Sequence, residues 1–179
     1  MRLEEIFDKQ VLLDLESAIF NTALPWALNI SDSKIDVQIG KNHESFAVDF
    51  SFLKDFKHYE YLKETCNKIY TDRNLKFCEN DSKILIYPSG YDGIIHRDTT
   101  EGKEILTTIT FLNSHWQKSW GGEILCYSQD CKVVVGGVVP EFGKTFLFDG
   151  GMPHRALAPI RLSSLMRAVL VTKQDKIIG

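Results

Sequence analysis

At Ser82 the hydrophobic pattern of the chain changes period, and this change limits the possible folds more than any other feature. Downstream of it, apolar residues fall into short runs broken by Gly, Pro, Asn and Asp. The runs cover 84–87, 93–96, 105–112, 123–127, 132–139, 145–148, 154–158 and 167–172. Strands of such length at such spacing predict an antiparallel barrel or sandwich. Upstream the spacing is helical. Leu3, Ile6, Phe7, Leu13 and Ile19 predict a helix that Pro25 stops. A polar turn around Ser31-Asp32-Ser33 and an extended piece from Ser45 to Phe50 lead to a second helix. That helix carries Leu53, Phe56, Tyr59, Leu62, Cys66 and Ile69 on one face and ends near Asp72 to Asn74. With no repeat, low-complexity tract or linker, the chain reads as one domain over 1–179. A helical support over 1–80 packs on a barrel core over 82–173.

Composition removes several classes of function. A formal charge of -3 gives no reason to expect a nucleic-acid or anionic-membrane partner. The three Trp and eleven Phe are spread along the chain and read as core, not as a base-stacking platform. No stretch approaches the ~18 apolar residues of a membrane span. Charges stand where an export signal needs its apolar run, in Met1-Arg2-Leu3-Glu4-Glu5. Cys66, Cys78, Cys126 and Cys131 are too irregularly spaced for a disulfide framework. Cys126 and Cys131 could face each other across a hairpin or be two small buried residues. A reducing cytoplasm is the expected location, and oligomeric state is not legible.

The chemistry concentrates around His96-Arg97-Asp98. On a strand, residues two apart share a face, so His96 and Asp98 converge while Arg97 points away. An imidazole and a carboxylate on one face make two of the three ligands of a facial triad, and another His would complete it. His43 lies in a polar turn, His58 beside the apolar face of the second helix, and His115 in the loop Asn113-Ser114-His115-Trp116. His154 follows Gly150-Gly151-Met152-Pro153 and opens a strand, a good position from which to point inward. A His-x-Asp pair by itself is common on protein surfaces. His-Arg-Asp also occurs in the protein-kinase catalytic loop, but this chain is too short and lacks the Gly-rich loop and Asp-Phe-Gly.

An ordered set of residues surrounds the pair. Tyr87 precedes it; Ile109-Thr110-Phe111-Leu112-Asn113, Trp116 and Gly121-Gly122-Glu123 follow. Next come Val139-Pro140, Gly143, Thr145-Phe146-Leu147-Phe148, His154 and the strand Arg167-Ala168-Val169-Leu170-Val171. This order resembles the prolyl-4-hydroxylase-like branch of the Fe(II)- and 2-oxoglutarate-dependent oxygenases, from about Lys83 to Lys173. The resemblance implies a double-stranded β-helix, or jelly roll, and a metal triad of His96, Asp98 and His154. It also implies Fe(II), 2-oxoglutarate as cosubstrate, dioxygen, and ascorbate as a candidate reductant. Arg167 is the better match for the cation that pairs with the distal carboxylate of 2-oxoglutarate, and Arg161 is its rival. Tyr87 matches a cosubstrate-binding tyrosine, and Thr110 stands where some relatives carry another. Gly121 and Gly122 read as a tight strand entry. With Asp98 in place, hydroxylation of a small molecule or a peptidyl residue such as proline is the implied reaction. The alternative is a cupin-like barrel that holds a metal without turnover.

Overall fold

Alternation along each strand sends one set of side chains towards two helices and the other set towards a second sheet. The computed structural model describes residues 1–21, 27–31, 43–90, 93–99, 105–160 and 165–174. Its elements are β1 (Arg2–Glu5), α1 (Lys9–Asn21), β2 (Ala27–Ser31), β3 (His43–Asp49), α2 (Tyr59–Thr71) and β4 (Phe77–Tyr87). They continue with β5 (Leu106–Phe111), β6 (Ile124–Tyr127), β7 (Val134–Val138), β8 (Lys144–Asp149), β9 (His154–Ala156) and β10 (Arg167–Gln174). A seven-stranded sheet runs β1-β8-β5-β10-β4-β3-β2, and a three-stranded sheet runs β7-β6-β9. The ladders are antiparallel, and the architecture is the expected jelly roll.

Two apolar clusters follow from the alternation. Ile84, Ile86, Ala168, Leu170 and Leu147 pack against Leu12, Leu15 and Ile19 of α1 and Leu62, Cys66 and Ile69 of α2. Leu85, Tyr87, Ile109, Phe111, Phe146, Phe148, Val169 and Val171 face Ile124, Cys126 and Ala156 of the small sheet. Both faces of the central strands are therefore buried, which is why their sequences read as nearly unbroken apolar runs.

Several sequence-based expectations need correction. Leu3 and Ile6 do not begin a helix. Asp8 accepts hydrogen bonds at Oδ1 from the Gln10 and Val11 N–H groups, at 2.8 and 3.1 Å. That N-cap starts α1 at Lys9, and the preceding residues pair with β8, Arg2 opposite Leu147. The 1–80 region is accordingly not only helical, because β1, β2 and β3 extend the large sheet. The second helix is divided, with a 3-10 turn over Phe50–Asp55 before α2. Its end falls where expected, and Asn74 takes the left-handed conformation (φ 58°) that closes a helix. Residues 93–96 form no regular strand, only a bridge between His96 and His154. Pro25, Asp32, Ser33 and Arg161 lie outside the described residues. The four cysteines are free thiols. Among the described residues no helix is long and apolar enough to cross a membrane.

Candidate functional site

His154 opens β9, and its backbone exchanges two 2.9 Å hydrogen bonds with that of His96. Two residues on, the Asp98 N–H donates to the Gly150 carbonyl at 2.8 Å, and Gly150 N–H donates to Ile105 at 2.6 Å. The 93–98 segment is thus tied at intervals to the β8–β9 connection and to β9. This tying, and not strand periodicity, brings the three side chains together. One donor atom from each of His96, Asp98 and His154 lies within 4.8 Å of the others. His96 Nε2 is 3.9 Å from Asp98 Oδ1, and His154 Nε2 is 3.7 Å from Oδ2. Arg97 turns outward, as expected, and donates to the side chain and backbone of Gln129.

The surroundings fix the state of each group. His96 Nδ1 lies 3.0 Å from the Ile94 carbonyl and His154 Nδ1 2.9 Å from that of Met152. A carbonyl only accepts, so each Nδ1 donates, and in the neutral ring Nε2 then presents its lone pair towards the cluster. Burial pushes His154 down to about 4, so its imidazole is neutral at physiological pH, the form that ligates a metal. Burial opposes the charge on Asp98, but His154, the Lys173 ammonium and His96 outweigh it. The carboxyl is held below the usual carboxylate range. Thr107 Oγ1 donates to Asp98 Oδ2 at 2.7 Å and Lys173 Nζ to Oδ1 at 2.8 Å.

Across the barrel interior, Arg167 is 1% exposed and pairs in register with Tyr87. Its Nη1 donates to the Gly122 carbonyl at 2.7 Å, and its guanidinium carbon sits 4.1 Å from the Tyr87 ring centroid. Burial lowers its pKa to about 10, so it remains a cation. Its Nε and Nη2 are buried with no hydrogen-bond partner among the described residues. Unpaired buried donors are costly, and a carboxylate would satisfy both in a bidentate fork. Gly122 (φ 80°) leaves room for this arrangement, since a Cβ there would lie 3.0 Å from Arg167 Cδ and 3.1 Å from Trp116 Cζ2.

The structure therefore gathers His96, Asp98 and His154, and places Tyr87 against Arg167. Thr110 is not with them. It faces the helices, on the opposite side of β5 from Ile109 and Phe111, and hydrogen-bonds Thr145 at 2.9 Å. Counting by twos from Phe111 would have excluded it from the barrel interior. Lys173 and Thr107 were missed from the sequence. The same count from Arg167 through Val169 and Val171 reaches Lys173, although that strand was expected to end at Thr172.

A family model described as the 2OG-Fe(II) oxygenase superfamily matches residues 82–171, half of the chain, and the protein belongs to that superfamily. It is an oxygenase that uses Fe(II), 2-oxoglutarate and dioxygen. No curated protein matches the chain by sequence. Among solved structures, a prolyl-4-hydroxylase from Pseudomonas putida is 17% identical, with a TM-score of 0.59 over 98% of this chain and 91% of that one. A prolyl hydroxylase from Trichoplax adhaerens, solved with a hypoxia inducible factor peptide fragment, is 15% identical. Its TM-score is 0.62 over 97% of this chain and 82% of that one. HygX from Streptomyces hygroscopicus, solved with nickel and 2-oxoglutarate, is 8% identical, with a TM-score of 0.58 over 98% and 82%. At these identities the likeness is one of fold. The residues fit the family's cofactors on their own chemistry: two imidazole lone pairs and a carboxylate for a divalent metal, two unpaired guanidinium donors for a carboxylate.

Proposed function

We propose that His96, Asp98 and His154 hold Fe(II), and that Arg167 binds the distal carboxylate of 2-oxoglutarate beside Tyr87. The observation that carries this reading is the convergence of the three donors, with both Nδ1 atoms tied to carbonyls so that both Nε2 atoms are turned towards the cluster. Three protein ligands on one face leave positions open for cosubstrate and dioxygen. When bound, the cofactors supply oxidative decarboxylation of 2-oxoglutarate to succinate and carbon dioxide, coupled to hydroxylation of an unactivated C–H bond. The protein's part is positioning. Thr107 and Lys173 hold the Asp98 carboxylate at both oxygens, and the apolar barrel around Phe146, Phe148 and Val169 excludes water from the site.

The substrate in this reading is a small molecule or a peptidyl residue, a prolyl group being one candidate by analogy with the two hydroxylases above. A net charge of -3 supports a partner other than nucleic acid, and four free thiols support a reducing, cytoplasmic setting. The test is anaerobic binding of Fe(II) and 2-oxoglutarate, followed by exposure to oxygen and measurement of succinate. His96→Ala or His154→Ala should abolish succinate and weaken metal binding while the fold survives. Full succinate production in either variant would remove the triad assignment. Metal binding without succinate in the unaltered protein would leave a metal-holding barrel.

A further inference from the structure

Beside Asp98 lies a cavity of about 180 Å³ lined by Asp81, Lys83, Asp98, Ile105, Lys173 and Gln174. It is smaller than the roughly 300–1,000 Å³ of sites for drug-sized ligands, and its walls are mostly polar side chains. Lys83 shares the barrel side of β4 with Leu85 and Tyr87, and Lys173 is reached by the same alternation along β10. The lining groups differ in what occupies them. Gln174 Oε1 accepts from the Leu106 N–H at 3.2 Å. Lys83 sits 3.8 Å from the half-exposed Asp49, a loose pair. Lys173 uses one of its three donors on Asp98. Asp81 makes no hydrogen bond or ion pair among the described residues.

We propose that this cavity receives the primary substrate, and that the substrate is a small zwitterion, a free amino acid. Its carboxylate sits against Lys173 and Lys83, and its ammonium against Asp81. The inference rests on the oxygenase reading above and names that site's substrate class. Asp98 already satisfies one donor of Lys173, so the cavity keeps spare ammonium donors at Lys83 and Lys173 and, at Asp81, a carboxylate with no partner among the described residues. A neutral ligand leaves both uncompensated, and an anion leaves Asp81 repelled. Only a ligand with both charges pairs both kinds of group, and each charge-assisted hydrogen bond is stronger than a neutral one. An internal residue of a peptide has neither an α-ammonium nor an α-carboxylate.

The test uses the whole chain loaded with Ni(II) and 2-oxoglutarate, titrated calorimetrically with the free proteinogenic amino acids and a capped proline-containing peptide. At least one free amino acid should bind. Its N-acetyl and methyl-ester forms should each bind roughly tenfold or more weakly. Asp81→Asn should abolish the discrimination against N-acetylation while Ni(II) and 2-oxoglutarate still bind. Lys173→Met should abolish the discrimination against esterification. The inference alone is overturned if nickel and 2-oxoglutarate bind but no free amino acid does. It is equally overturned if the neutral derivatives bind as well as the parent, or if only the peptide binds. Failure of the unaltered protein to bind nickel and 2-oxoglutarate would overturn the oxygenase site and this inference together.

Discussion

Arg167 carries the sharpest consequence at the scale of single residues. It is among the largest fully buried side chains, and among the described residues only its Nη1 is hydrogen-bonded. Removing one partner of a buried ion pair costs about 3 to 5 kcal/mol. Arg167→Ala should therefore raise the 2-oxoglutarate requirement on the order of a hundredfold or more, at about 1.4 kcal/mol per tenfold. Arg167→Lys should recover part of that, since it keeps the charge but not the planar fork. Arg161→Ala should change little. Succinate production against 2-oxoglutarate concentration decides, and a large effect at Arg161 with none at Arg167 would transfer the role.

At the scale of elements, the site depends on how closely the 93–98 segment approaches the β8–β9 connection. Gly150 sets that approach. A Cβ on it would lie 2.8 Å from Thr107 Oγ1, 3.0 Å from Asp98 Cβ and 3.1 Å from the Ile105 carbonyl. Two of those neighbours are backbone or near-backbone atoms that cannot swing away. Gly150→Ala should cost about 1–3 kcal/mol by overpacking. It should also weaken Ni(II) binding, because the displaced Thr107 and Asp98 share the 2.7 Å hydrogen bond that orients the carboxylate. Gly136→Ala is the control: its Cβ would meet only the flexible Met1 side chain, at 3.1 Å for Cε. Urea midpoints and nickel titrations should separate the two variants, and equal behaviour would show that the close approach is not limiting.

For the whole molecule, the cluster links stability to pH. His154 is ordinarily half-protonated near 6.5, and the folded protein lowers this to about 4. Between these values the unfolded chain binds the proton and the native state does not. Stability is therefore full above pH 6.5 and falls as pH drops towards 4. At about 1.4 kcal/mol per pH unit, the metal-free protein should lose roughly 2 to 3 kcal/mol between pH 7 and 4.5 from this residue. Asp98 acts in a lower window. Its depressed pKa contributes stability above its ordinary 3.8 that disappears only below that pH. Urea unfolding at the two pH values checks the sign, and His154→Gln should flatten the dependence by that amount. Equal slopes in variant and parent would place the titration elsewhere.

Local pattern carried a large part of this protein. Period-two and near-continuous apolar runs specify strands wherever they are buried, and so the order of β4, β5, β6, β8, β9 and β10 was legible. The end of α2 was legible too, because its stop signals act within one turn. The candidates His96, Asp98, His154 and Arg167 also stood in the sequence, since few residue types can do what a metal or a carboxylate demands. Their geometry did not. The sequence argument placed His96 and Asp98 on a regular strand, but backbone bonds from His96 to His154 and from Asp98 to Gly150, across more than fifty residues, make them converge. Likewise β1 needed the open edge of β8 before Leu3 could leave its helical pattern, and Thr110 needed the sheet's two faces assigned before its direction was known. Periodicity is a property of neighbouring residues, so sequence alone decided most of the barrel strands and the end of α2, and which residues are candidates for chemistry. Hydrogen bonds and packing between distant segments are properties of the closed fold, and only the tertiary structure decided which side chains meet and which charges line the cavity beside Asp98.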